Sequence, residues 1–176
     1  MDIQKLLHEY NQGYRDFSTV ALHAADLAGH NLCGIDLSGA DLSGANLTGA
    51  NLSRAILNGA NMTDADLSNA DLSGAHLCDV NLIGTVLRYA SLVGANLTRA
   101  DMRSADLERS DLQGANLKDV TVSGANFSHV NLTSACVEAV DLDDADLEGV
   151  DLSQLKSCQI GLNSGTEHRW LSWGAH

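Results

Sequence analysis

Large apolar residues recur every five positions along most of the chain. From Phe17 to Leu152 every fifth residue is Leu, Met, Val or Phe, without an insertion and without a polar residue among the 28 positions. We call this the centre position of a five-residue repeat. A period of five matches neither the 3.6-residue period of a helix nor the two-residue period of a strand. The pattern therefore predicts a repeating shape that is neither a plain helix nor a plain strand.

A second, smaller inward position lies two residues before each centre. It holds Ala in 17 repeats and Val in six, and the exceptions are Arg15, His30, Ile35, Thr85 and Ser110. Residues two apart on an extended segment share one side, so both apolar positions are predicted to face a common core. The residues just before and just after the centre are mostly polar and are predicted to face outward.

Each repeat ends at a residue suited to a tight turn. The second residue after the centre is Gly in 12 repeats and Asp or Asn in five, which suits the position of a type II turn where φ is positive. A turn every five residues closes a square in four repeats. Stacked squares would hydrogen-bond like parallel strands, so seven coils would form a rod about 34 Å long. Helical solenoids, leucine-rich repeats and coiled coils have other periods.

Several repeats follow one sequence motif, for example ADLSG, ANLTG, ANLSR and ADLER. At these residues the sequence resembles the pentapeptide repeat family, whose motif is A(D/N)LxG. The resemblance implies an all-β fold, a right-handed quadrilateral parallel β-helix over residues 15–155, and the handedness comes from the family alone. The opening segment LLHEYNQGYRDF also resembles the cap of cyanobacterial members.

Both ends of a β-helix expose backbone groups and core, so both are expected to be covered. Residues 1–14 are predicted to form an N-terminal capping helix that stops at Gly13. Its apolar face consists of Ile3, Leu6, Leu7 and Tyr10.

Residues 156–176 are expected to form a C-terminal cap or tail. They contain Trp170, Leu171 and Trp173, and the repeats contain no Trp. These three residues are expected to cover the last coil or to form a dimer contact, and a disordered end is the remaining alternative. The chain is accordingly expected to be a monomer or a dimer through this end.

The repeats offer no recognisable catalytic or cofactor chemistry. The seven His are scattered, no HExxH pair occurs, and the glycines lack the GK[ST] sequence of a phosphate loop. We therefore expect no enzyme activity, no cofactor and no metal. The four cysteines, Cys33, Cys78, Cys136 and Cys158, lack zinc-site spacing and are expected to be free thiols in a reducing compartment. One alternative is a disulfide between Cys136 and Cys158, which lie close to one coil apart and would lock the C-terminal cap.

The formal net charge of −13 disfavours nucleic acid and anionic membranes as direct partners. No apolar run is long enough to span a membrane, and the start of the chain lacks the apolar core of a signal peptide. We therefore expect a soluble, cytoplasmic chain.

Charge is unevenly distributed along the predicted rod. The last coil carries seven carboxylates without Lys or Arg among them: Glu138, Asp141, Asp143, Asp144, Asp146, Glu148 and Asp151. The acidic end is expected to engage a basic protein surface or to prevent end-to-end stacking. Coils four to six carry Arg88, Arg99, Arg103 and Arg109, with Lys118. These arginines are candidate partner-binding residues, although offsetting nearby carboxylates is the plainer interpretation.

Three functions follow from these features. The residues favour a non-catalytic protein-binding scaffold that presents flat faces to an unidentified protein. The resemblance implies two alternatives, because some family members mimic DNA and inhibit DNA gyrase, and one relative regulates cyanobacterial cell differentiation. The acidity suits the gyrase hypothesis, but the walls of coils two and three are mainly Ser, Thr, Asn and Gly.

Overall fold

In a computed structural model that describes residues 1–156, the repeats form a stacked square coil. Isolated parallel bridges join most outward residues before a centre to their counterparts four repeats later, from Asp16 with Asp36 to Cys136 with Lys156. No strand in residues 1–156 extends beyond such single bridges. Four repeats therefore make one coil, and the predicted four-sided stack is confirmed.

The two inward positions of each repeat fill the axis of the rod. From Leu32 to Leu112 every centre side chain is at most 1% exposed. The Ala residues beside these centres are equally buried. Their small side chains leave room for the backbone to pass close to the core. The predicted core of Leu and Ala is confirmed.

The corners have the predicted backbone conformation. Corner residues have positive φ whether they are Gly or not, as in Gly44 at 63° and Tyr89 at 58°. Where the turn is closed by a hydrogen bond, the next small residue donates back to the centre, as Ala45 N does to Leu42 O at 3.0 Å. The geometry fits a type II turn.

Backbone hydrogen bonds tie each coil to the next. Leu42 N donates to Asn61 O at 2.7 Å, and Gly44 N donates to Thr63 O at 2.8 Å. In the opposite direction, Asp41 N donates to Val20 O at 2.9 Å. These hydrogen bonds pair the backbone N–H and C=O groups of adjacent coils. Left buried without a partner, such groups would destabilise the fold.

The N-terminal end of the rod is covered by a single helix, α1 (Ile3–Asn11). Asp2 caps it by accepting a hydrogen bond from Gln4 N at 3.3 Å. Leu6 and Tyr10 are buried in the common core, and Tyr10 Oη donates to Cys33 O at 2.8 Å. The predicted N-terminal helix is confirmed, and its amphipathic face joins the first coils.

The seventh coil departs from the regular register. Gly124 N donates to Asp144 O, whereas the spacing of the earlier coils, as in Gly94 N to Gln113 O, would select Asp143. No bridge joins Thr121 to Asp141 in the described part of the chain. A small apolar cavity lies at this junction, and its lining includes Val120, Val122, Val137 and Val140. The coil ends in a short 3₁₀ helix, Leu152–Gln154.

Candidate protein-interaction surface

The carboxylates and amides before the centres hold the turns together. Asp41 Oδ1 accepts hydrogen bonds from Ser43 N at 3.1 Å and from Ser43 Oγ at 2.6 Å. Asn61 Nδ2, one coil later, donates to the same oxygen at 3.2 Å. The Ser43 hydroxyl and amide hold the pKa of Asp41 below its ordinary value, because both stabilise the ionised carboxylate. The repeated Asp and Asn are therefore structural acceptors as well as surface polar groups.

Most cations of coils four to six are matched to carboxylates, as the plainer interpretation predicted. Arg99 makes two hydrogen bonds to the carboxylate of Asp79, and Arg103 makes three to that of Asp101. These bonds lower the pKa of both carboxyl groups. The remaining two matched cations are Arg88, which contacts Asp106 and Glu108, and Lys118, 3.4 Å from Glu138.

Arg109 is bound differently from these four cations. Its Nη1 donates to the phenol oxygen of Tyr89 at 3.0 Å, and the guanidinium lies 6.0 Å from the Tyr89 ring centre. The carboxylate oxygen that it approaches, on Glu108, is 3.8 Å from Nε, which is too long for a hydrogen bond. Arg109 is thus hydrogen-bonded to a neutral partner, and its ion pair with Glu108 is longer than a hydrogen bond.

The acidic residues of the last coil form a collar and not a single face. All seven are exposed and belong to successive sides of coil seven: Glu138, Asp141, Asp143, Asp144, Asp146, Glu148 and Asp151. Among them Glu138 faces Lys118, while Asp141, Asp146 and Asp151 accept hydrogen bonds from backbone N–H groups two residues on. The collar therefore keeps most of its negative charge open to solvent.

Coil four carries apolar side chains on its outer wall, a feature that the sequence reasoning missed. Tyr89 is 52% exposed and Val93 36% exposed, and Ile83 and Val86 are half-buried at outward positions. Elsewhere the positions just before and just after the centre hold mostly Asp, Asn, Ser or Thr, and the corner position of Tyr89 is most often Gly. The departure was readable from the sequence, since residues 83, 86, 89 and 93 occupy the outward positions of the repeat.

The remaining predicted residues have mixed outcomes. Cys33 and Cys78 are free thiols. The predicted contacts of Trp170, Leu171 and Trp173, and the proposed disulfide from Cys136 to Cys158, involve residues outside the described part of the chain and stay predictions. Within residues 1–156 no three His, Cys, Asp or Glu side chains are grouped as a metal site would require. In the same range no helix is long and apolar enough to cross a membrane.

A profile described as pentapeptide repeats matches the chain over residues 16–54, 45–82, 81–119 and 110–154. The matched segments cover nearly the whole rod. The chain belongs to the pentapeptide repeat family, and its fold is the right-handed quadrilateral β-helix of that family.

Several solved structures resemble the chain. HetL, a pentapeptide repeat protein involved in heterocyst differentiation regulation from Nostoc sp. strain PCC 7120, is 29% identical over 89% of this chain and 94% of its own, with a TM-score of 0.24. Rfr23, a pentapeptide repeat protein from Cyanothece 51142, is 24% identical over 84% of this chain and 100% of its own, with a TM-score of 0.40.

QnrB1, a plasmid-mediated fluoroquinolone resistance protein, is 20% identical over 81% of this chain and 84% of its own, with a TM-score of 0.43. No curated protein sequence matches the chain significantly.

Proposed function

We propose that the chain is a non-catalytic scaffold that binds another protein through its outer wall. The observation that carries this proposal is the exposed apolar surface of coil four, with Tyr89 and Val93 on an otherwise polar wall. Exposed apolar side chains that cluster on a soluble rod favour a protein contact. The closely bonded coils supply a rigid support, so a bound partner would meet a surface that is already ordered.

The double variant Tyr89→Asn/Val93→Ser tests this proposal with little disturbance of the fold. Asn69 and Ser73 already occupy the equivalent positions of coil three, and Asn tolerates positive φ. We expect a partner captured from the source organism to bind the purified protein saturably and to bind the double variant at least about tenfold more weakly. The control, Asn69→Ser/Ser73→Thr, changes the same positions of coil three and should bind normally. Equal binding by both variants would exclude coil four as the docking surface.

The acidic collar is the second surface that we propose for a partner, and it would suit a basic protein. Replacing Asp143, Asp146 and Glu148 by Lys should abolish such binding and leave any coil-four contact intact. Unchanged capture of all partners would contradict a role for the collar.

The gyrase hypothesis is favoured by one observation, the net charge of −13 on a rod. Against it, the carboxylates of coils four to six are largely offset by arginines. Inhibition of DNA supercoiling by the purified protein is the direct assay, and no effect at high molar excess would remove the hypothesis. A role in cyanobacterial differentiation and a cytoplasmic location are further proposals.

A further inference from the structure

One corner of the rod carries a column of large side chains. Four successive coils place Asn69, Tyr89, Arg109 and His129 at the same corner, each with φ of 58° or 59°. A left-handed backbone costs a residue with a side chain about 1–2 kcal/mol, which Gly avoids. The corner that follows it along the chain instead holds Gly at positions 74, 94 and 114. The corner with large side chains thus lies next to a corner that has no side chains at positions 74, 94 and 114.

Within this column Tyr89 positions Arg109. The phenol accepts a hydrogen bond from Nη1, which aims the guanidinium along the corner without neutralising it. The guanidinium has five N–H donors, and in the structure its side chain is 53% exposed. Arg99, at the corner position of another side of the same coil, instead directs two donors to the carboxylate of Asp79. Arg109 therefore has more donors available to a new carboxylate than Arg99, whose charge is matched by Asp79.

Apolar surface borders this available cation. The exposed ring of Tyr89 lies one coil before Arg109, and Val93 lies on the side that starts at the Tyr89 corner. The other outward residue of that side, Ser91, is neutral and bonded to Ser73 at 2.8 Å. The surface thus combines one available guanidinium with an apolar strip.

We propose that the Tyr89–Arg109 corner binds a protein segment that presents a carboxylate next to an apolar side chain. The carboxylate pairs with Arg109, and the apolar side chain packs on Tyr89 and Val93. Pairing by two parallel N–H donors gives a defined geometry as well as attraction. The inference rests on the scaffold function, since it names the chemistry of the partner for that wall.

The ion pairs of coil five distinguish Arg109 from Arg99 and Arg103. The chain as a whole carries −13 and repels an acidic segment over most of its surface. Asp79 and Asp101 occupy their own arginines, so an incoming carboxylate meets an available guanidinium at Arg109 and not at those two sites. Within residues 1–156, the carboxylate that pairs with Arg109 is that of Glu108, which also contacts Arg88 at 3.3 Å.

Short peptides with one variable dipeptide test the proposal directly. The probes are Gly/Ser peptides that contain Asp-Leu, Asn-Leu, Asp-Ser or Lys-Leu at the centre, titrated into the isotope-labelled protein. Nuclear magnetic resonance reports the shifts of the Arg109 Nε–H, the Tyr89 ring and the Val93 methyl groups. We expect saturable millimolar binding of the Asp-Leu peptide, and about tenfold weaker binding of the Asn-Leu and Asp-Ser peptides.

Three variants separate this site from the rest of the wall. Arg109→Asn should weaken binding of the Asp-Leu peptide about tenfold or more. Arg99→Asn, the matched change at another corner of the same coil, should leave it unchanged. Glu108→Gln removes the competing carboxylate and should strengthen binding several-fold, which a purely structural role for Arg109 would not produce.

Other outcomes would overturn the assignment. Equal binding of the Asn-Leu peptide, preference for the Lys-Leu peptide, shifts centred on Arg99, or no saturable binding at millimolar concentration would each exclude a carboxylate-binding corner. The scaffold proposal would survive any of these results if a captured partner still depended on Tyr89 and Val93.

Discussion

Thr85 and Ser110 occupy the same small inward position in different repeats, but their hydroxyls have different surroundings. Thr85 is fully buried, and its Oγ1 donates to Met62 O at 2.8 Å. Ser110 is 1% exposed, and its Oγ has no hydrogen-bond partner within residues 1–156. An unpaired buried hydroxyl carries a desolvation cost that no contact offsets.

Ser110→Ala should therefore leave the protein as stable or more stable, by up to about 1–3 kcal/mol in the free energy of unfolding. Ala is also the usual residue at this position of the repeat. The comparison is Thr85→Val, which keeps the shape but removes one of the two hydrogen bonds that Met62 O accepts, the other coming from Ala65 N at 3.1 Å, and should cost about 1 kcal/mol. Urea denaturation of both variants measures the difference. A clear loss of stability in Ser110→Ala would show that the hydroxyl is satisfied in solution.

Glycines at the corners differ in what lies over them. A side chain at Gly84 would meet the Asp64 carboxylate of the preceding coil, whereas one at Gly94 would meet nothing within 4 Å. Both residues have positive φ, 66° and 65° respectively. Gly94→Ala should thus cost about 1 kcal/mol from backbone strain alone, and Gly84→Ala should cost more. Thermal unfolding of the two variants separates the crowding from the strain, and equal losses would show that Asp64 moves aside freely.

At the scale of elements, helix α1 closes one end of the rod through few residues. Leu6 has no exposed surface and Tyr10 is 8% exposed. Arg15 reinforces the junction, because its guanidinium lies 4.0 Å from the Tyr10 ring centre and donates to Tyr10 O at 2.8 Å. The helix therefore shields the first coil from water and from other rods.

Leu6→Asp should undock α1, since a carboxylate has no partner in that core. The loss of buried apolar surface is worth roughly 1.5–3 kcal/mol for a residue of this size. The uncovered coil should also associate with other copies, which light scattering across a concentration series would detect. Lys5→Asp adds a carboxylate on the exposed side of the same helix and is the control. A stable, monomeric Leu6→Asp protein would show that α1 does not act as a cap.

The whole molecule gains acid sensitivity from its aspartates. Hydrogen bonds from Ser43 and Arg99 lower the pKa of Asp41 and Asp79 below the ordinary value of 3.8. A carboxyl whose folded pKa is depressed stabilises the fold above its unfolded pKa, and that stabilisation is lost as pH falls through the folded value. We therefore expect the melting temperature to fall as pH drops from about 5 to below the ordinary pKa of these carboxyl groups.

Asp41→Asn tests this origin of the acid sensitivity. The amide oxygen still accepts from Ser43, as Asn46 does from Thr48 in the next repeat at 2.7 Å, but it does not titrate in this range. The variant should lose less stability on acidification than the parent protein. Identical pH profiles would show that other groups dominate acid unfolding.

The sequence predicted the coil, the core, the corners and the N-terminal helix, because each follows from a period that never slips before coil seven. It did not predict the slip at Asp144, since the sequence VDLDD over residues 140–144 still has the two apolar positions of the repeat. The available guanidinium of Arg109 was also missed, because its pairing depends on neighbours a full coil away in the chain. Those neighbours, Tyr89 and His129, are not carboxylates, and the adjacent carboxylate of Glu108 also contacts Arg88.

The register of four repeats per coil also determines how such a gene can change. Loss of a single codon in coil two would break the repeat that contains it, whereas loss of four whole repeats would only shorten the rod by one coil. Loss of one repeat keeps the leucines inside but rotates all later sides by a quarter turn relative to α1. Tyr89 and Arg109 would remain stacked through that change, so the direction in which their corner points is adjustable in four discrete steps.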